Sequence, residues 1–149
     1  MKSVELKRPV KASRINRTRA RAWALLVHYQ WDVVNRDGNL SDMFKEILST
    51  RKVSVARVSY INRIVSGLDT HGKLIDDSLN TVLKNWRLDR LSVIDRGVLR
   101  IAALEILYFN DIPYKVAILE GVRLAELYGG IESPKFVNGV LDALVPRVK

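Results

Sequence analysis

The sequence predicts an all-helical (all-α) protein, folded as a compact bundle of about seven helices. Apolar residues recur at steps of three and four along most of the chain, as on the buried face of a helix. No segment sustains an apolar alternation with a period of two between hairpin turn signals. Ser, Gly and Pro stand where these helical patterns begin and end, which is typical of helix caps.

Size and composition indicate one domain with its own core. The chain has 149 residues, of which 48% are hydrophobic and 28% charged, as in soluble globular proteins. It has no cysteine, which excludes disulfides and thiolate zinc sites. The longest apolar run, residues 22–27, is too short to cross a bilayer, and the N-terminus lacks the apolar region of a secretory signal. We therefore expect a cytoplasmic protein.

The first part of the chain predicts a leader and two helices. Residues 1–12 are expected to be a flexible basic leader, because Pro9 interrupts a polar, lysine-rich stretch. Residues 13–149 then form a single helical domain with an N-terminal arginine-rich segment, and its first helix covers residues 13–34. A turn at Asp37-Gly38 precedes a short helix at residues 41–48. The apolar face of the first helix is formed by Ala22, Leu25, Leu26, Tyr29 and Val33.

Two further helices are predicted from the apolar spacing between residues 54 and 83. The third helix covers residues 54–68, His71-Gly72 interrupts the pattern, and a fourth helix follows at residues 73–83. Asp76 and Asp77 are assigned to the first two turns of that fourth helix, where they would stabilise its dipole.

The C-terminal half predicts three helices with recognisable ends. Ser92 caps a central helix that runs to Phe109, and Pro113 follows its end. The next helix covers residues 115–128 and is stopped by Gly129-Gly130. Ser133-Pro134 begins the last helix, which continues to about residue 144.

Positive charge is concentrated at the N-terminus. The formal net charge of the chain is +9, and residues 1–21 carry eight cations against one anion. Such an arm favours a polyanion, since each neutralised phosphate releases counterions, and nucleic acid is the natural candidate. Charge alone leaves open a solvated basic tail without a specific target. Arg14, Arg17 and Arg21 follow helical spacing, which places them on one stripe of the first helix.

The sequence predicts no enzyme, no cofactor and no metal site. Residues 67–73 match part of a phosphate-binding loop, but Leu74 replaces the hydroxyl residue that would hold magnesium. His28 and His71 are the only histidines, and neither has ligands at a persuasive spacing. Glu105 and Arg100 lie in the apolar central helix, where a structural ion pair or hydrogen bond is the commoner role and catalysis the alternative.

Three segments together resemble the NusB family of bacterial transcription antitermination factors. Residues 19–31 read RARAWALLVHYQW, similar to the arginine-rich start and first helix of the family. Residues 90–102, RLSVIDRGVLRIA, lead to residues 111–120, DIPYKVAILE. The most specific segment is residues 135–142, KFVNGVLD. With their spacing, these segments extend the resemblance over nearly the whole chain from residue 17 to residue 144.

The resemblance implies two small helical subdomains packed together and an RNA-binding function. Family members bind the single-stranded boxA element of nascent RNA, usually with NusE, a small-subunit ribosomal protein. The complex joins RNA polymerase and suppresses termination during ribosomal RNA synthesis. Members differ in oligomeric state, so a homodimer of this chain is also compatible with the family.

The family pattern also assigns roles to individual residues. Arg17, Arg19 and Arg21 fall on the arginine-rich positions that contact RNA, and Arg14 lies on the same stripe. Lys135 and Phe136 match a second RNA-proximal segment, where Phe136 either stacks on an unpaired base or packs in the core. The residues that align with positions facing NusE are Tyr29, with a core role as its alternative, and Asp95, with a helix cap as its alternative.

The chain departs from the family pattern in three places, and two alternative functions remain. Residues 1–12 extend the arm, Thr18 interrupts the arginine run, and Asp95 stands where the family often has glutamate. One alternative is a NusB-like RNA-binding domain related to ribosomal RNA cytosine methyltransferases, although we expect no catalytic domain here and the sequence has no cysteine. The other is a non-specific basic helical interaction protein, whose RNA binding would be weak and steeply salt-sensitive.

Overall fold

The computed structural model of the protein describes residues 2–34 and 36–147, with side chains for residues 13–34 and 36–146. This part of the chain is all-helical, so the predicted fold class is confirmed. α1 begins at Lys2, whereas the first helix was expected to start at residue 13. The flexibility expected of residues 1–12 stays a prediction. The six α-helices are α1 (Lys2–Val34), α2 (Leu40–Thr50), α3 (Val55–Val82), α4 (Val93–Tyr108), α5 (Tyr114–Tyr128) and α6 (Ser133–Leu144), with 3₁₀ turns at Leu88–Arg90 and Val145–Arg147.

The predicted break between the third and fourth helices is wrong, which explains why the described residues contain six α-helices where about seven were expected. α3 continues through His71-Gly72 without interruption. The His71 ring stacks on Tyr108 of α4, with centroids 3.9 Å apart. Leu68 and Ile75 are buried on either side of the glycine. Packing on both sides outweighs the roughly 1 kcal/mol by which glycine weakens a helix interior.

The partial phosphate-binding motif lies inside α3, where its backbone amides belong to a helix rather than to a loop. Asp69, from that motif, instead binds the start of α2. Its carboxylate accepts hydrogen bonds from the backbone N–H groups of Leu40, at 2.8 Å, and Ser41, at 3.0 Å. Asn39 caps α2 by accepting from the Asp42 N–H at 2.8 Å. These bonds satisfy amides that a helix start leaves without intrahelical partners.

α4 is the central element of the fold, and ten of its residues are buried. It packs against α1, α3, α5 and α6. α1, α2 and α3 also contact one another, as do α4, α5 and α6, and one continuous hydrophobic core joins the two groups. Ser92 caps α4 as predicted, accepting from the Asp95 N–H at 3.2 Å.

Candidate nucleic-acid and partner interfaces

The four arginines assigned to RNA lie in two different environments on α1. Arg14 and Arg19 are exposed. Arg17 is partly covered, with 35% of its side chain accessible to solvent. Arg21, one turn further along, is only 3% exposed. The stripe predicted from helical spacing therefore passes from the surface into the core within a single turn.

Arg21 is part of a buried ion pair with Glu105 of α4. Its Nε donates to both carboxylate oxygens, at 3.0 and 2.8 Å, and Glu105 is 1% exposed. The Tyr60 hydroxyl of α3 donates to the same carboxylate. Burial raises the pKa of Glu105, while the bonds from Arg21 and Tyr60 act in the opposite direction.

This geometry corrects one sequence-based expectation and supports another. A guanidinium that is buried and bonded to Glu105 does not reach RNA, so the expectation of direct contact by Arg21 does not fit the structure. The interpretation of Glu105 as a structural ion-pair residue does fit. Arg21 ties α1 to α4, so it positions the exposed arginines that precede it.

Arg17 belongs to a second, exposed cluster beside the first. Its guanidinium lies over the Tyr60 ring, 4.9 Å from the centroid, and its Nη2 is 3.5 Å from Asp111 Oδ2. Arg63 of α3 donates to both oxygens of Asp111, at 2.9 and 2.5 Å. These hydrogen bonds from Arg63 lower the pKa of Asp111 to about 2.

Phe136 and Asp95, distant in sequence, line one pocket of about 490 Å³. The Phe136 ring is half-buried and meets Trp86 edge to face, with centroids 6.0 Å apart. Trp86 is 58% exposed. One carboxylate oxygen of Asp95 is buried and has no hydrogen-bond partner among the described residues. Lys135 is exposed and lines a neighbouring hollow instead of this pocket.

Tyr29 lies in a different surface feature, which we name the α1 groove. It has a volume of about 540 Å³, and Tyr29 is exposed there rather than part of the core. Arg19 also lines this groove. Its other lining residues are Ala22, Trp23, Leu25, Leu26, Arg51, Arg57, Ile94 and Tyr128. An apolar floor with aromatic and arginine side chains is typical of protein interfaces.

A second polar centre, partly buried, accounts for other residues that the sequence left open. Arg100 donates to both oxygens of Asp76, at 2.9 and 3.0 Å, and lies 3.1 Å from His28 Nε2. Burial and the charge of Arg100 lower the pKa of His28 to about 3. Asp76 therefore pairs with Arg100. Its assignment to the first turns of a helix was wrong, because α3 is continuous through this position.

Trp86, Arg63 and Arg57 are surface residues that sequence reasoning did not assign to a site. Trp86 sits in a polar connection, Lys84–Arg87, where a large aromatic residue without apolar neighbours is a detectable signal. Arg63 and Arg57 gave no such signal, since a charge on α3 is normally a solvated residue. Among the described residues, no group of three His, Asp or Glu side chains is arranged to hold a metal ion.

Together the fold and surfaces define an all-helical protein whose first helix presents cations to solvent beside an apolar groove. The model of the NusB family matches residues 18–146, and this chain belongs to that family. The resemblance noted from the three segments is thereby confirmed. Within the described residues, none of the helices has the length and hydropathy needed to cross a membrane.

Curated relatives and solved structures agree with this assignment. The chain is 37% identical over 133 residues to the transcription antitermination protein NusB of Edwardsiella ictaluri, covering 89% of this chain and 94% of the relative. It is 35% identical to the NusB protein of Oceanobacillus iheyensis over 131 residues, covering 88% and 99%.

Two solved structures share the fold. NusB of T. maritima has a TM-score of 0.77 and 37% identity, and the match covers 87% of this chain and 90% of that one. A crystal structure of antitermination factors NusB and NusE in complex with double-stranded RNA has a TM-score of 0.77 and 28% identity, with coverage of 89% and 97%.

Proposed function

We propose that this chain is an RNA-binding transcription antitermination factor, which binds boxA-type RNA together with NusE and acts on the RNA polymerase elongation complex during ribosomal RNA transcription. Family membership supports this function, as does the NusB and NusE complex with RNA among the structural neighbours. The proposal is for a cytoplasmic binding protein, and it includes no catalytic step.

The observation that carries the proposal is the surface position of three arginines on α1. Solvent reaches the side chains of Arg14, Arg17 and Arg19, whereas the side chain of Arg21 is buried in the core. Arginine is always charged and binds phosphate through a planar fork, so these residues suit an RNA backbone. Phe136 with Trp86 supplies the aromatic surface on which an unpaired base stacks.

RNA binding is tested by fluorescence-anisotropy titration with a boxA-type RNA and a scrambled control, with and without NusE, at two salt concentrations. We expect a preference for the boxA sequence that grows with NusE and persists at higher salt. Equal binding to both RNAs that disappears with salt would support the non-specific basic protein instead, since counterion release is independent of sequence.

Two sets of variants separate phosphate contacts from base contacts. Replacing Arg14, Arg17 and Arg19 with Gln removes three cations and leaves Arg21 in place, so affinity for both RNAs falls while the melting temperature stays the same. Phe136→Ala weakens binding of both RNAs by about five- to tenfold for one lost stacking contact and leaves the salt dependence unchanged, because stacking tolerates any base and releases no counterions. Unchanged affinity would mean that Phe136 packs only against the protein.

We propose that NusE binds the α1 groove through Tyr29 and extends beyond the groove to Asp95, which lines the neighbouring Phe136 pocket. Tyr29 lines the groove, as does Ile94, the residue before Asp95. Tyr29→Ala and Asp95→Asn should weaken capture of NusE more than they weaken RNA binding by the isolated protein. Leu74→Ala, which removes an exposed apolar side chain on α3, is the matched control. If all variants capture NusE equally well, NusE binds a different surface of the protein.

A further inference from the structure

A polar cleft between α1 and α3 lies beside the exposed arginines, and the proposed function gives it no role of its own. Its volume is about 400 Å³. It opens next to Asp111, which contacts Arg17 and Arg63 on its edge. The polar residues that line it are Ser13, Asn16 and Arg17 of α1 and Ser59, Tyr60 and Arg63 of α3.

Three guanidinium groups surround a single aromatic ring in this cleft. Arg17, Arg21 and Arg63 lie 4.9, 5.5 and 5.7 Å from the centroid of the Tyr60 ring. Attraction to the ring face helps to hold each cation, but like charges gathered around one ring repel one another. Anions are therefore needed to balance the charge of the cluster.

The carboxylates at the cluster are divided unequally between its cations. Arg21 has two of them, because Glu105 is buried against it and Glu120 lies 3.7 Å from its guanidinium. Arg17 and Arg63 share a single carboxylate, Asp111. These two guanidinium groups are partly exposed, so their unbalanced positive charge faces solvent. A second anion bound between Arg17 and Arg63 would balance it.

Asp111 holds the two arginines unequally. Arg63 makes two short bonds to it and also lies over the Phe109 ring, 3.9 Å from the centroid, so its guanidinium is fixed in place. Arg17 makes one contact at 3.5 Å, at the upper limit of a hydrogen bond. An incoming anion can therefore take Arg17 from Asp111 at little cost.

We propose that this cleft binds a phosphate group of the RNA backbone through Arg17 and Arg63, and that Asp111 is the internal anion with which RNA competes. The inference rests on the proposed function and adds Arg63 and Asp111 to it. A phosphate has enough acceptor oxygens for both guanidinium groups and for the nearby hydroxyls. Arg57 donates to the Asn16 side-chain oxygen at 3.3 Å, which leaves the Asn16 amide NH₂ as a further donor.

The first test removes the Arg63 cation. Arg63→Gln should weaken binding of a boxA-type RNA by about three- to tenfold at low salt and reduce the slope of log affinity against log salt by about 0.7, the value for one phosphate contact to a single strand. Arg123→Gln, an equal change at an exposed position on α5, is the control and should have a smaller effect. Circular dichroism and melting of both variants verify that they fold.

The second test removes the competing carboxylate. Asp111→Asn should tighten RNA binding by about threefold, because Arg17 no longer has to leave a carboxylate and the charge of Arg63 is no longer neutralised by one. Asp77→Asn, the same change about 21 Å further along α3 than Arg63, controls for the general effect of net charge. The gain from Asp111→Asn should disappear when Arg17 and Arg63 are both Gln.

The outcomes separate this inference from the proposed function. If the unaltered protein prefers boxA RNA but Arg63→Gln binds it like Arg123→Gln, the cleft does not take phosphate, and the proposed function stands. Weaker RNA binding by Asp111→Asn would equally overturn the competition, since it would make Asp111 a support for the site. If the unaltered protein binds no RNA, both proposals fail.

Discussion

Arg17 and Arg21 stand four residues apart on α1 and face the same tyrosine ring, yet they belong to different kinds of site. Arg21 meets its carboxylate, Glu105, in the core. Arg17 shares Asp111, which is 47% exposed, with Arg63. Water and salt weaken the exposed pairs, whereas the buried pair is shielded from both. The same residue type therefore fixes the fold at one position and is available for a ligand at the other.

Breaking the buried pair should produce the largest effect. Arg21→Ala leaves Glu105 buried without its cation, and we expect it to destabilise the fold by about 3–5 kcal/mol, measured by urea unfolding. The double variant Arg21→Met, Glu105→Leu removes both charges and should recover most of that loss. A small effect of Arg21→Ala would mean that water reaches this pair, and the contrast with Arg17 would no longer hold.

The pKa of His28 shows independently how strongly burial disfavours a charged side chain in this fold. Its pKa in the folded state is about 3, below the usual 6.5, because of burial and Arg100. The unfolded chain therefore takes up a proton at higher pH than the folded protein does, so stability falls as the pH drops from 6.5 towards 3. Between pH 6.5 and 4.5 the expected loss is roughly 2 kcal/mol.

Comparing the pH dependence of urea unfolding for the unaltered protein and His28→Gln tests this expectation. The variant has no imidazole to protonate, so its stability should be nearly constant over the same pH interval. Parallel curves for the two proteins would show that His28 is not the group responsible.

Tyr60 contacts both the buried Arg21–Glu105 pair and the exposed Arg17–Arg63 cluster. Removing only its hydroxyl should therefore affect the buried pair and not the exposed cluster. Tyr60→Phe deletes the hydrogen bond to Glu105 but keeps the ring beneath Arg17 and Arg63. We expect a loss of stability of about 1–3 kcal/mol, because a buried charged group loses a bond. RNA affinity in the titration should not change. Weaker RNA binding with normal stability would instead assign the hydroxyl to the cleft.

The exposed pairs should show the smallest effect on stability. The pKa of Asp111 is lowered to about 2 by Arg63, so the pairs stabilise the fold above the unfolded pKa, near 3.8. That contribution is lost as the pH falls through 2, and it is small because solvent screens the charges. NMR titration of the Asp111 carboxyl should show its pKa rise in Arg63→Gln. An unchanged value would remove Arg63 as the cause.

The sequence determined the helical class, most helix ends and the location of the basic arm. These features depend on local properties: apolar residues at helical spacing, Ser92 as a cap, Pro113 after α4, and charge density before residue 22. The family resemblance came from the same kind of information, because it rests on short segments and their order.

Only the tertiary structure decided what individual polar residues do. Helical spacing put Arg17 and Arg21 on one stripe, but packing of α4 against α1 buried Arg21 with Glu105 and left Arg17 at the surface. Packing likewise keeps α3 helical at Gly72, where the sequence predicted a break. Arg63 and Asp111 are 48 residues apart, and no local pattern reveals such a pair. Burial and long-range partners are set by how helices pack, so they cannot be read from one helix at a time.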